Sequence, residues 1–367
     1  MATNKPFKDY LDEGAVRRLA ASLASASPGW AAEPFVRDAV GGLDQLELKA
    51  RVGRVAEALA RHLPADFDEA VEQVLSARPD SRPSADDVAS GFAWWPVLRW
   101  VQEAGQAHFT TSMRALHALT SQFSAEFAIR PFLVAQPERT LAVLASWVDD
   151  PDPHVRRLVS EGTRPMLPWG GHLRRFRDDP SETLALLDRL VGDSERYVQR
   201  SVANHLGDIA KDHPHLAVEV AARWKAAGHD WVVAHGLRAL VKAGDADALA
   251  VLGYAPPQIE VLSFRVSDHV RVGDAATLEL LARSTGDDAQ RLMIDYAVHH
   301  AGAKRRRKPK VFKWARRTLE PGEELSLQRT HSMRRVTTRA LHAGTHLVDV
   351  QINGVVVATD TFELSEP

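Results

Sequence analysis

The side chains best equipped for chemistry are cations and carboxylates that would not normally share a surface. The run Lys304-Arg305-Arg306-Arg307-Lys308-Pro309-Lys310-Val311-Phe312-Lys313-Trp314-Ala315-Arg316-Arg317 sets nine positive charges and no carboxylate into a chain whose formal net charge is −2. So dense a cluster, with an aromatic pair inside it, calls for a polyanion, because each Lys or Arg docked on a duplex displaces condensed counterions. A solvated loop is the alternative for a charge run taken alone. Upstream, Glu126, Glu161 and Asp208 sit in Ser124-Ala125-Glu126-Phe127, Ser160-Glu161-Gly162 and Asn204-His205-Leu206-Gly207-Asp208. An acid on a surface that meets phosphate repels it. Each therefore either pairs with a nearby arginine (Arg130, Arg164, Arg200), caps a helix, or has a chemical task. Trp169 lies in Met166-Leu167-Pro168-Trp169-Gly170-Gly171-His172-Leu173-Arg174-Arg175-Phe176-Arg177, which is not the composition of a core. Trp94, Trp95, Trp100 and Trp147, by contrast, fall at helical spacing among apolar residues and read as packing residues.

Several chemistries are excluded. The absence of cysteine removes disulfides, thiolate nucleophiles and iron–sulfur clusters. There is no phosphate-cradling glycine loop, no dinucleotide fingerprint and no His-Glu-x-x-His. His213/His215 and His299/His300 match no zinc spacing and read as surface histidines, so neither a metal nor a cofactor is expected. The N-terminus lacks an apolar signal region and no stretch approaches a membrane span, which places the chain in the cytoplasm.

The elements that must position these residues are of two kinds. Over residues 1–255 apolar positions recur at helical spacing, with Asp, Ser and Pro as punctuation. Pro137–Leu144 echoes Pro180–Leu187 and His154–Arg157 echoes Tyr197–Arg200, both at an offset of 43. A third copy follows from Pro214 at an offset of 34, so the first unit carries about nine inserted residues near Gly170–Asp179. Such pairs bury their apolar faces only by stacking, giving a HEAT-like helical-repeat solenoid whose second helices line one inner face. After Ala255-Pro256-Pro257 the pattern becomes alternating. Ile259–Val266, Ala276–Leu281, Leu292–Ala297, Glu324–Gln328, His346–Ile352 and Val355–Thr359 read as strands, with Asn353-Gly354 as a hairpin turn. This makes residues 258–367 an immunoglobulin-like β-sandwich of about seven strands, with the cation run on or beside a loop between strands.

The segments Ser124–Phe132, Pro151–Pro165, Leu167–Gly170 and Tyr197–Asp208 resemble the AlkC branch of the AlkC/AlkD-type HEAT-repeat DNA alkylation-repair glycosylases, over roughly residues 10–255. The sandwich resembles the extension found in some AlkC members. The resemblance implies hydrolysis of the N-glycosidic bond of cationic alkylated bases, N3-methyladenine and N3-methylcytosine, without a metal. It places Glu126, Glu161 and Asp208 as active-site acids, Trp169 as the aromatic neighbour of the lesion and Asn204 as a support for Asp208. A fixed carboxylate suits that reaction: the charged base leaves neutral, and what needs stabilising is the oxocarbenium character on the sugar and the water attacking it. Arg156, Arg157, Arg164, Arg174, Arg175 and Arg200 are the expected phosphate contacts of the solenoid. Lys304, Arg305, Arg306, Arg307, Lys308 and Lys310 are those of the sandwich. The expected partner is bent double-stranded DNA carrying an alkylated base that is not fully flipped out, bound by a monomer with no obligate protein partner and no membrane. A non-catalytic helical-repeat scaffold that binds nucleic acid or protein is the rival reading.

Overall fold

A computed structural model describes residues 5–79, 91–302, 309–335 and 341–366. Lys304, Arg305, Arg306, Arg307 and Lys308 therefore lie outside the described residues. By packing, the chain divides into two compact units, Met1–Asp212 and His213–Pro367.

The described part of the first unit is helical apart from one short hairpin. Local chemistry starts its helices where the polar punctuation predicts. The Asp152 carboxylate accepts from the His154 amide at 2.9 Å, and Pro153 opens the helix Pro153–Gly162 at a position whose amide would be unpaired anyway. In the helix Arg196–Asp212, Val198, Val202, Leu206 and Ile209 recur on one buried stripe. These two helices pack together, the offset-43 relatives of the repeat. A polar seam crosses their apolar contact: the Ser201 hydroxyl lies 3.0 Å from that of Ser160, and His205 Nδ1 donates to the Ser160 carbonyl at 3.0 Å. Trp94, Trp95, Trp100 and Trp147 are buried, as expected of packing residues.

The insert is more ordered than its glycines suggest. Strands β1 (Met166–Leu167) and β2 (Gly171–His172) pair antiparallel around Pro168-Trp169-Gly170, and the short helix Arg174–Asp178 follows. Phe176 is buried under that helix, so it is not exposed to a sugar or base.

The described part of the second unit holds four helices, Pro214–Ala226, Asp230–Gly236, Arg238–Ala243 and Ala246–Val251, followed by eight strands in two sheets. The strands are β3 (Ile259–Val266), β4 (His269–Arg271), β5 (Ala275–Ser284), β6 (Gln290–His299), β7 (Lys310–Leu319), β8 (Glu324–Ser332), β9 (Gly344–Ile352) and β10 (Val355–Ser365). One sheet has the order β4-β10-β9-β6-β7 and the other β3-β5-β8; among the described strands only β4 and β10 pair parallel. Leu278, Tyr296, Val348 and Phe362 form part of the core of this immunoglobulin-like sandwich. Asn353 and Gly354 both have positive φ, 48° and 81°, in the tight turn expected of Asn-Gly.

The described part of the cation run lies in β7, an edge strand that begins beside the residues outside the description, and its exposed Lys310, Lys313, Arg316 and Arg317 also discourage edge-to-edge pairing. His299 and His300 are not surface histidines. His299 meets Asp349 at 2.6 Å, and the buried His300 lies with its Nδ1 3.3 Å from that of His346. The change of texture at residues 255–258 is also not where packing divides. Met293 of β6 is buried against Leu249 and Tyr254, so the last helices belong with the sandwich. No described helix is long and apolar enough to cross a membrane.

Candidate active site

Glu126 lies in the turn before the helix Arg130–Ala135, Glu161 near the end of Pro153–Gly162, and Asp208 inside Arg196–Asp212. The fold brings all three together through two arginines. Arg157 Nη1 lies 2.9 Å from Glu126 Oε2, and its Nη2 lies 3.6 Å from Glu161 Oε1. Arg164 Nη1 donates to Glu161 Oε1 at 2.7 Å and its Nε to Asp208 Oδ2 at 2.8 Å. Lys211 closes the chain on Asp208 Oδ1 at 2.8 Å. Three carboxylates and three cations thus form one linear network. The three acids converge, and each has an ion-pair partner, which the sequence offered as one alternative. The partners differ from those expected for Glu126, which takes Arg157 and not Arg130, and for Asp208, which takes Arg164 and Lys211 and not Arg200.

The three acids are not equivalent. Glu161 and Asp208 are 6% and 3% exposed, and each has both oxygens engaged, since Ser201 donates to Glu161 Oε2 at 2.6 Å. Glu126 takes Arg157 and the Ser124 hydroxyl, at 2.8 Å, on Oε2 alone. Among the described residues nothing donates to Glu126 Oε1. Burial pushes the Glu161 carboxyl up, but Arg157, Arg164 and Ser201 outweigh it and hold the group below its ordinary value. Burial likewise opposes charge on Arg157, and Glu126 and Glu161 overcome it. The half-exposed Tyr197 ring lies under the Arg157 guanidinium at 4.8 Å and helps to hold it in place.

Arg130 is the residue that sequence reasoning undervalued. It is 4% exposed and pairs with no carboxylate at ion-pair distance among the described residues. Instead its guanidinium donates to four carbonyls, those of Gly162, Arg164, Gly170 and Gly171, at 2.8 to 3.1 Å. It therefore ties the segment carrying Glu161 and Arg164 to the hairpin carrying Trp169. Burial, and then the neighbouring Arg164, lower its pKa to about 10, which leaves it charged at neutral pH. Gly162 leaves room for the Ile129 side chain, which a Cβ there would meet at 2.6 Å. Trp169 stands at the hairpin tip, 60% exposed, with φ at +65°, a region that bulky side chains avoid. Lys49 secures it by donating to its carbonyl at 2.8 Å. The Trp169 ring meets Phe7 edge to face, centroids 6.2 Å apart, and is otherwise held outward against local preference. Asn204 sits half-buried one turn before Asp208 on the same helix.

The expected phosphate contacts of this unit divide. Arg174 and Arg200 are exposed and make no ion pair among the described residues. Arg175 shares an exposed surface with Glu138 and Glu182, pairs weak enough to exchange. Arg156 is held by both oxygens of Asp193, and Arg157 and Arg164 are internal to the acid network. Their carboxylate partners occupy the donors that a phosphate would need, so these three do not fit the role expected of them.

His205, also missed from the sequence, lies beside the network, fully buried with Nε2 unpartnered. Burial lowers its pKa to about 4; Arg164 adds to the shift, and the Ser160 carbonyl, Asp208 and Glu161 partly oppose it. The unfolded chain takes up this proton below the ordinary value near 6.5 and the folded chain only near 4, so stability falls as pH drops through that window. Between pH 7 and pH 4.5, wild type is expected to lose roughly 2–3 kcal/mol more than His205→Asn in urea melts. Parallel losses in the two proteins would refute the assignment.

Comparison with known proteins agrees with this architecture. Residues 120–240 match the family described as DNA alkylation repair enzyme, and residues 260–366 match the YhaZ C-terminal Ig-like domain. The solved Pseudomonas fluorescens alkylpurine DNA glycosylase AlkC, bound to DNA containing an abasic site analog, is similar with a TM-score of 0.89 and 33% identity, covering 98% of this chain and 100% of that one. The uncharacterized protein YhaZ of Bacillus subtilis (strain 168) is 35% identical over 322 residues, 87% of this chain and 88% of that protein. Helical repeats around an acid network, with an appended immunoglobulin-like sandwich, define a class of DNA alkylation-repair fold. The chain belongs to the AlkC-like family of that class.

Proposed function

We propose that the protein is a DNA glycosylase that hydrolyses the N-glycosidic bond of cationic alkylated bases, N3-methyladenine and N3-methylcytosine, and so starts base excision repair. The observation that carries this reading is the convergence of Glu126, Glu161 and Asp208 in the unit that presents Trp169. The C1′–N bond breaks with its electron pair passing to the base, whose positive charge that pair cancels, so no acid need protonate the leaving group. Water oxygen bonds to C1′ and its proton passes to a carboxylate and then to solvent. Glu126 is assigned to that water, because its Oε1 is open. Glu161 and Asp208 supply a fixed negative field for the oxocarbenium-like sugar, and Asn204 supports Asp208.

Trp169 is assigned to the lesion nucleotide on a bent duplex, with the damaged base not enclosed in a pocket of its own. Arg174, Arg175 and Arg200 are assigned to phosphates. Lys310, Lys313, Arg316 and Arg317 of β7 are likewise assigned to phosphates, together with Lys304, Arg305, Arg306, Arg307 and Lys308. Action as a monomer in the cytoplasm fits this reading. The test is incubation with DNA carrying N3-methyladenine or N3-methylcytosine, with free base and abasic sites measured. Release of either base is expected, and binding without release would favour the scaffold reading.

A further inference from the structure

A cavity of ≈ 550 Å³ adjoins Trp169 in the helical unit, and none of the three acids lines it. Its size falls in the range of small-ligand sites, roughly 300–1,000 Å³. Trp95, Phe127 and Trp169 contribute aromatic surface, and Lys49, Arg99 and Arg130 contribute charge; no carboxylate is among the described lining residues. Two of the rings are fixed, since Trp95 stacks on Phe127 at 5.5 Å and on Phe123 at 5.1 Å, and the third, Trp169, meets Phe7 edge to face at 6.2 Å. The cations are partly committed. Lys49 holds the Trp169 carbonyl, Arg99 meets Glu103 at 2.5 Å on an exposed helix face, and Arg130 spends its bonds on neutral carbonyls. Neutral acceptors leave the positive field of Arg130 and Lys49 in place. Val134 also lines the cavity and is 71% exposed, apolar surface that no neighbour covers.

A cationic methylated base is repelled by such a lining. A planar neutral ring with a phosphate attached fits it, because the ring stacks on the aromatic faces and the phosphate meets the ammonium and guanidinium groups. We infer that this cavity takes an undamaged nucleotide unstacked from the DNA, the partner of the lesion, with its ring against Trp95, Phe127 and Trp169 and its phosphate toward Lys49 and Arg99. The inference rests on the glycosylase reading for the location of the DNA. A bend that brings the damaged sugar to the acids breaks the base pair at that step and leaves the partner base without a mate. Charge then sorts the two nucleotides: the cationic one to the carboxylates, the neutral one to the cations, with Trp169 common to both.

The test is equilibrium binding of the full chain to duplexes carrying an abasic analogue, with either adenine or a second abasic analogue opposite. Wild type is expected to bind the adenine duplex about tenfold more tightly, the worth of one base–aromatic stack. In Arg99→Glu and in Val134→Glu, both at exposed or half-exposed positions, that preference is expected to shrink below about twofold. Equal affinities in wild type, or a preference that survives in both variants, would overturn the proposal. So would deoxyadenosine monophosphate binding as tightly as the duplex, since the cavity would then serve a free nucleotide. Base release is read in parallel: release without the preference ends this inference and leaves the enzyme, whereas the preference without release does the reverse.

Discussion

Release of N3-methyladenine from DNA is expected to fall by about 10²–10³-fold in Glu126→Gln, with the melting temperature close to that of wild type. The change keeps shape and removes one negative charge where an unengaged carboxylate oxygen stands. Gln can still accept from Ser124 through its amide oxygen, so the turn before Arg130 is not undone. What is lost is a fixed charge beside a sugar that becomes positive only as the bond breaks, which lowers turnover more than binding. Equilibrium affinity for an abasic-analogue duplex is therefore expected to change little. A variant that releases base as fast as wild type would remove Glu126 from the reaction and move the water to Glu161 or Asp208.

The second large effect is on folding. Arg164→Met is expected to lower stability by about 3–5 kcal/mol, because it leaves two nearly buried carboxylates without their shared cation. Arg157 and Lys211 remain, but Arg157 is 3.6 Å from Glu161 and Lys211 is largely exposed. The pH dependence should change with it. In wild type the Glu161 carboxyl titrates below its ordinary value, so its contribution is present at neutral pH and is lost as pH falls through the folded value. Without Arg164 burial dominates and that loss moves to higher pH. Adding Asp208→Asn should restore part of the stability, a coupling readable in a double-mutant cycle. A melting temperature unchanged in Arg164→Met would show the network to be solvated and slack.

The same arginines show what a sequence conveys and what it does not. Helical pairs were legible because Val198, Val202, Leu206 and Ile209 repeat at the period of a helix, and the offset-43 copies repeat the pattern. The Asn353-Gly354 turn was legible because few other dipeptides tolerate positive φ twice. β7 was hidden by its own charge: Lys310, Lys313, Arg316 and Arg317 break the alternation that a strand would show, and the register shifts opposite Ile294 and Asp295. β4 is three residues long, too short to have a period. The acids were named, and Arg164 as a partner for one of them, but not the links from Arg164 to Asp208 and from Arg157 to Glu126. Arg130 reaches carbonyls 32 to 41 positions away, and Lys49 reaches Trp169 across 120. A backbone carbonyl has no residue type, so a bond to it leaves no mark in the composition.

The burial of Met293 against Leu249 and Tyr254 bears on how this chain can be cut and recombined. Gly244 ends one short helix and Gly354 turns the β9–β10 hairpin, both at positive φ, and a Cβ on Gly354 would fall 2.7 Å from the Gly244 Cα. Neither glycine tolerates a side chain while the other stays where it is. A chimera that swaps the sandwich alone, joined near residue 258, would strip an apolar face from β6 and break this paired contact. A graft joined near residue 213 carries both surfaces with it. The heritable segment is thus longer than the immunoglobulin-like portion by the four helices before it.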